Sequence, residues 1–366
     1  MNAYHAIGLM SGSSLDGLDI AYCRFTNQNG EWQFEILQCD TVAFADEWVQ
    51  DLKHLPIASA RTIAEAHAGL GRYFGHMVSS FIKDNALAGK VDLVASHGHT
   101  IFHFPDKKFT TQIGDGAAIA AACGVPVVCD FRTADIAFGG QGTPIVPIGD
   151  KLLFGDYKFC LNIGGISNIS CKTPKGIIAF DICPANQVLN LFASKLGAPY
   201  DNEGQFAADG AINEELLNCL NDLEYYSRKY PKSLDNSFTR EAILPCFEDF
   251  DITVEDMLRT YCEHIAIQIG EHIRTIAEKE NLTVLPTDKM LITGGGAFNT
   301  FLIKLIQQHA GIEVIVPETK LVQFKEALVI AFMGVLRLRN EVNVLASVTG
   351  ATKDSVGGCI YTSPAP

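Results

Sequence analysis

Twice along this chain an apolar run, a short turn of small or polar residues and a second apolar run follow one another directly. The first pair is Ala3 to Met10 and Leu18 to Phe25, joined by a Ser, Gly and Asp turn. The second is Lys158 to Ile163 and Ile166 to Cys171, joined by Gly164-Gly165. Runs of this kind bounded by turn residues read as β-hairpins. One hairpin at the start and another near the middle imply two related α/β halves rather than a short-period array. With 366 residues, 48% of them hydrophobic, the chain has core enough for two domains of ordinary size. We expect the first at 1–130, completed by 345–366, and the second at 131–344.

The stretches between the hairpins support alternating helices and strands. Ile63 to Phe81, Asp115 to Ala122, Asn186 to Leu196, Met257 to Asn281, Asn299 to His309 and Glu326 to Arg339 have helical patterns. Val91 to Ser96, Val125 to Asp130, Ile177 to Asp181, Lys289 to Thr293 and Glu313 to Val316 read as strands. Gly139-Gly140-Gln141-Gly142-Thr143-Pro144 is too rich in glycine to be regular and is the expected hinge between the halves.

A net charge of −14 opposes nonspecific attraction to nucleic acid or to an anionic membrane. A phosphate site in such a chain has to be local, built from backbone amides, a few cations or a metal. Eleven cysteines are scattered from Cys23 to Cys359 with no CxxC pair, which suits buried, reduced thiols in a cytoplasmic protein. Met1-Asn2-Ala3-Tyr4-His5 carries no secretion signal, and the longest uncharged stretch, Gly116 to Cys129, is too short to span a bilayer.

Four segments have the residue types that chemistry needs. In Gly8 to Asp19, small residues allow close backbone approach, successive amides could cradle a phosphate, and Asp16 or Asp19 could hold a metal or its waters. A solvated hairpin turn would look similar. Asp181, at a strand-to-helix corner, could accept a proton from an attacking hydroxyl or water, or simply face the N-terminus of the next helix. Gly294-Gly295-Gly296 follows a strand and precedes a helix, where absent side chains let a flat base or a phosphate lie against the backbone. Arg132 could pair with a substrate carboxylate or with Asp130 or Asp135. His97, His99 and His103 read as polar loop histidines rather than a metal set, and Cys183 as packing.

Taken together, these segments resemble the anhydro-N-acetylmuramic acid kinases of the sugar kinase, actin and heat-shock chaperone superfamily. The resemblance runs through Gly8 to Asp19, Ser96 to Thr100, Gln112-Ile113-Gly114, Asp130-Phe131-Arg132, Gly139 to Pro147, Asn162 to Gly165, Gly294 to Asn299 and Val348 to Ala351. It implies an α/β fold of two related actin-like or sugar-kinase-like domains around a central ATP cleft. It also implies a cytoplasmic enzyme that uses ATP and Mg2+ to phosphorylate 1,6-anhydro-N-acetylmuramic acid with hydrolytic ring opening. A homodimer is compatible with it.

Carried over by position, Asp181 is the expected base that activates water. Gly12, Ser13, Ser14, Leu15, Asp16, Gly17, Leu18 and Asp19 would cradle the ATP phosphates, and Gly294, Gly295 and Gly296 would form the adenosine turn. Mg2+ would arrive with ATP, touched by Asp16 or Asp19 through water. Arg132 is the expected contact for the lactyl carboxylate, with Glu326, His97 and Asn186 as further substrate contacts.

The chain departs from the family pattern in two places. The family usually has Asp-x-Gly-Pro-Gly-Asn where this chain has Asp181-Ile182-Cys183-Pro184-Ala185-Asn186, so two glycines beside the expected base are missing. Lys232-Ser233-Leu234-Asp235-Asn236 replaces a Lys-Ser-Thr-Gly-Arg-Glu run. These changes keep two alternatives open: a nucleotide-binding regulatory member of the superfamily, and a kinase for a different sugar.

Overall fold

The computed structural model describes residues 2–12, 15–235 and 237–362. Among them the strands are β1 (Asn2–Met10), β2 (Gly17–Gln28), β3 (Glu31–Ala43), β4 (Leu93–Ser96), β5 (His99–Phe104), β6 (Phe109–Ile113), β7 (Val127–Cys129), β8 (Phe159–Ile163), β9 (Ile166–Thr173), β10 (Gly176–Pro184), β11 (Lys289–Thr293), β12 (Glu313–Ile315) and β13 (Cys359–Tyr361). The chain forms two compact units, Met1–Phe154 with Phe324–Pro366, and Gly155–Gln323.

In the first unit the sheet order is β13-β7-β4-β1-β2-β3. β1, β2 and β3 form an antiparallel meander, while β1, β4 and β7 run parallel. In the second unit the order is β10-β9-β8-β11-β12, with β8, β9 and β10 antiparallel and β8, β11 and β12 parallel. Each unit therefore repeats one plan, a three-stranded meander extended by two parallel strands, and the hairpins read from sequence are the starts of those meanders. The β1 to β4 and β8 to β11 steps are parallel and need crossovers, which is why long helices intervene.

Those helices begin and end where local chemistry dictates. Ser59 Oγ accepts the Thr62 amide at 3.1 Å to start the helix Ala60–Asp84, and Thr253 Oγ1 does the same for Asp256 at 3.1 Å to start Val254–Glu280. Asp115 caps Gly116–Cys123, which stops at Gly124 with φ 71°. Apolar faces of these helices cover the sheets: Leu70, Phe74 and Val78 pack with Ile7, Leu9 and Ile20 in the first unit, and Ile265, Ile269 and Ile273 with Leu161, Ile163 and Ile292 in the second.

The boundaries differ from those expected at 130/131 and 344/345. Segment 131–154 belongs with the first unit because Asp135 accepts the Thr349 hydroxyl at 2.7 Å and the Gly142 amide at 2.8 Å, and the Gln141 amide bonds the Thr349 carbonyl at 2.8 Å. The Gly139 to Pro144 loop is thus tied down inside that unit and is not a hinge between halves. Segment 324–344 belongs there because the helix Thr319–Leu338 lies against β1, where a Cβ on Gly8 would overlap the Ala327 carbonyl oxygen. That helix starts seven residues before the expected Glu326, which is therefore mid-helix. β10 also runs past Asp181, with a bulge between Asp181 and Cys183, so Asp181 lies in the strand and not at a strand-to-helix corner.

Candidate active site

In the first unit the parallel strands bring three expected residues together. Leu9 pairs with Ser96, and Ser96 with Cys129, so the segments leaving β1, β4 and β7 emerge side by side, the position at which α/β sheets present ligand sites. The first supplies Ser11 and Gly12, the second His97 and the third Arg132. Arg132 donates from Nε to His97 Nε2 at 2.9 Å and from Nη1 to the Gly142 carbonyl at 2.6 Å. His97 Nδ1 bonds the Gly98 carbonyl at 3.0 Å. Burial, and then the Arg132 charge, lower the His97 pKa to about 3, so its ring is neutral with Nε2 open as the acceptor.

Arg132 itself is lowered to about 10 by burial, opposed by Glu326 and Asp135. Glu326 is raised, by burial first and by Asp19 second, against Lys325 and Arg132. Asp19 is raised by burial, although its Oδ1 accepts the Thr41 hydroxyl at 2.6 Å. Asp19, Glu326, Arg132 and His97 thus form one electrostatically linked group.

The expected phosphate turn is only partly in view, since Ser13 and Ser14 lie outside the described residues. Leu15 has φ 60° and its amide reaches the Gly12 carbonyl at 3.4 Å, while Asp16 is exposed and Gly17 and Leu18 already belong to β2. Gly8 lies inside β1, where helix packing is sufficient reason for a glycine. His99, read as a loop residue, starts β5 and bonds Ser11 Oγ through Nδ1 at 2.9 Å, both residues being buried. His103 is also in β5, with Nδ1 on Thr110 Oγ1 at 3.1 Å. Among the described residues no group of three or more His, Cys, Asp or Glu side chains could hold a metal ion.

In the second unit the ends of β8 and β11 make the corresponding edge. Gly294 has φ 84°, and a Cβ there would meet Asn162 Oδ1 at 2.6 Å and the Ile163 carbonyl at 2.7 Å. Gly296 is pressed onto the Ile163 side chain, whereas Gly295 is exposed and has only Asn186 Nδ2, at 3.6 Å. Two of the three glycines are therefore needed for packing, and one presents bare backbone. Asn186 Nδ2 donates to the Ile163 carbonyl at 3.2 Å, joining the helix Asn186–Lys195 to the same edge.

Asp181 is held by an irregular segment far away in sequence. Its Oδ2 accepts the Leu234 amide at 2.9 Å, its amide bonds the Lys232 carbonyl at 3.3 Å, and its carbonyl accepts the Tyr225 hydroxyl at 2.7 Å. Burial raises its pKa above the usual carboxylate value, opposed by the Leu234 amide. A carboxylate so placed is a stronger proton acceptor than one in water. The Lys232 run that departs from the family pattern contacts Asp181 through backbone atoms, which a changed side chain at Leu234 leaves in place. Cys183 is fully buried and is pinned by Ser167 Oγ, which donates to its carbonyl at 3.0 Å. Burial pushes its thiol up to about 12, consistent with packing.

Sequence reasoning missed Tyr225, Lys232 and His272 around Asp181. A signal was present: His264, Gln268 and His272 recur every fourth residue on an otherwise apolar face of the helix Val254–Glu280, and all three are buried.

A family model described as anhydro-N-acetylmuramic acid kinase matches residues 4–363. An enzyme of that name from Vibrio cholerae is 32% identical over 373 residues, covering 97% of each chain. Another, from Francisella tularensis subsp. novicida, is 32% identical over 381 residues, covering 97% of this chain and 98% of its own. Among solved structures, the (R)-2-hydroxyglutaryl-CoA dehydratase component A of Acidaminococcus fermentans is similar at 12% identity and TM-score 0.44, covering 90% of this chain and 96% of that one. The matched span takes in both strand-end groups and Asp181 with its irregular support, and this chain belongs to the anhydro-N-acetylmuramic acid kinase family.

Proposed function

We propose that this chain phosphorylates 1,6-anhydro-N-acetylmuramic acid with ATP and water, giving N-acetylmuramic acid 6-phosphate and ADP, as a cytoplasmic enzyme of peptidoglycan recycling. The observation that carries the reading is Asp181, a half-buried carboxylate with a raised pKa in a chain whose residues 4–363 match this family. In the proposed step Asp181 takes a proton from water, the water oxygen bonds to the anomeric carbon, and the bond from that carbon to the 6-oxygen breaks. The 6-oxygen takes the γ-phosphoryl group and ADP leaves.

Arg132 is assigned to the lactyl carboxylate. Its Nε and Nη1 are used on His97 and Gly142, and the rest of the guanidinium fork suits a carboxylate. Glu326, His97 and Asn186 are assigned as further sugar contacts, Gly12 to Asp19 to the phosphates, and Gly294 to Gly296 to the adenosine. Asp16 and Asp19 would meet Mg2+ through water, and the ion would supply charge neutralisation at the transferring phosphoryl group. Eleven free thiols support the cytoplasmic placement.

The test is incubation with Mg-ATP and the anhydro sugar, following ADP and the sugar product together. The reading requires sugar-dependent ADP release and a ring-opened 6-phosphate. Bound ATP without sugar-dependent turnover would instead support a regulatory nucleotide-binding protein, and turnover with another sugar alone would support a different kinase.

A further inference from the structure

Three hydrogen bonds converge on Asp181 from the segment 225–234: the Tyr225 hydroxyl, the Lys232 carbonyl and the Leu234 amide. Apart from the single helical turn Glu224–Ser227 this segment has no regular structure, so its own backbone cannot hold it in place. Lys232 supplies the missing constraint. Its Nζ donates to the Tyr225 carbonyl at 3.0 Å and the Tyr226 carbonyl at 3.4 Å, lies 4.3 Å from the Tyr225 ring centroid, and reaches His272 Nε2 at 2.9 Å.

His272 is prepared for that contact. Its Nδ1 bonds the Gln268 carbonyl at 2.6 Å, which leaves Nε2 as the acceptor facing the ammonium. One turn along the helix Gln268 Nε2 bonds Asn221 at 2.9 Å, and a further turn along His264 bonds both Asn221 and the Tyr226 hydroxyl, at 2.7 and 2.9 Å. On the other side the Tyr230 ring stacks on Phe180 with centroids 5.0 Å apart, and its hydroxyl bonds Glu280 at 3.0 Å. Beyond its local contacts to Leu223, Glu224 and Phe238, the segment is thus anchored on Phe180 and Asp181 and on polar residues of one long helix.

We infer that Lys232, seated on His272, is a positioning residue for the reaction: it draws the segment 225–234 into a strap that fixes Asp181 and keeps the Leu234 amide on its carboxylate. The inference rests on the reading of Asp181 as the base. Without the ammonium, two carbonyls and His272 lose their common partner, the strap loosens, and the Leu234 amide leaves Asp181. Since that amide favours the charged carboxylate, its departure raises the Asp181 pKa further.

The experiment compares wild type, Lys232→Met, Lys232→Arg and Tyr225→Phe, reading Leu234 amide exchange and the pH dependence of kcat. Lys232→Met is expected to speed Leu234 exchange by about tenfold or more, lower kcat by about tenfold with both KM values within about twofold, and move the acid limb of kcat to higher pH. Lys232→Arg, which keeps a charged donor, is expected to restore the limb towards wild type. Tyr225→Phe removes only the hydroxyl on the Asp181 carbonyl, gives the same changes on a smaller scale, and serves if Lys232→Met does not fold. Unchanged Leu234 exchange and an unchanged acid limb in both variants would overturn the inference. A wild type without sugar-dependent turnover defeats the proposed reaction instead, and the exchange measurement still decides whether Lys232 holds the strap.

Discussion

Arg132 donates from Nε to Nε2 of His97 at 2.9 Å, a bond that exists only while the imidazole is neutral. The fold enforces neutrality by burying His97 against a guanidinium, which takes its pKa from near 6.5 down to about 3. Because the folded value is depressed, the unfolded chain binds the proton more readily throughout that interval.

Stability from this pair is therefore complete above pH ~6.5 and is lost as the pH falls towards ~3. His264 and His272, lowered to about 3 and about 4 chiefly by burial, act in the same direction. His97→Gln retains a carbonyl that can accept from Arg132 and has no proton to take up. Its melting temperature is expected to fall less between pH 7 and pH 5 than that of wild type, in a scan at the two pH values. An equal fall in both proteins would mean that His97 already titrates normally in the fold.

The three glycines after β11 should separate by role. Gly296→Ala drives a methyl group into Ile163, a β-branched side chain with little room to turn, and should cost about 1–3 kcal/mol in urea denaturation. Gly295→Ala meets only Asn186 Nδ2 at 3.6 Å, so its stability should stay within about 0.5 kcal/mol of wild type. If the exposed backbone at Gly295 approaches the adenosine, the same substitution weakens ATP binding, read as the nucleotide Kd by calorimetry. Unchanged affinity would leave this turn a purely structural element.

Gly8 is the contrasting case at the start of the chain. A methyl group there meets the carbonyl of Ala327, a backbone atom that cannot rotate away, and Gly8→Ala should cost about 3 kcal/mol or more. The check is again urea denaturation, with a loss under about 1 kcal/mol counting against the packing.

What the sequence disclosed follows from how local each signal is. Gly164-Gly165 between two apolar runs declares the second hairpin because turn chemistry lies within a few residues. The edge strand β3 alternates mostly half-buried and exposed positions and has little apolar contrast to announce it. Glu326 marks no helix start because Thr319 to Lys325 mixes apolar residues with two lysines, and the pattern does not show that Val322 packs in the core of the second unit as part of the same helix. The surroundings of Asp181 were the least legible: Leu234 is 53 residues away and contributes a backbone amide, for which no residue type is a signature. His264, Gln268 and His272, by contrast, carry a signal that the sequence reading did not use, polar residues at helical spacing on an apolar face.

The same burial that suits Asp181 to accept a proton should make it a cost to the fold. Its pKa is raised, so the folded chain binds the proton more readily than the unfolded chain, and stability falls as the pH rises through that interval. Above it the ionised carboxylate is a net burden at neutral pH, where the proposed step requires it. Asp181→Asn keeps an oxygen for the Leu234 amide and removes the charge. Turnover is expected to drop by about 10²–10⁴-fold, with the ATP Kd unchanged and the melting temperature at pH 7.5 higher than that of wild type. Calorimetry and a thermal scan on one preparation test all three. A variant with weakened nucleotide binding would remove Asp181 from the role of water base, and one that melts lower would show that interactions of the charged carboxylate outweigh its desolvation.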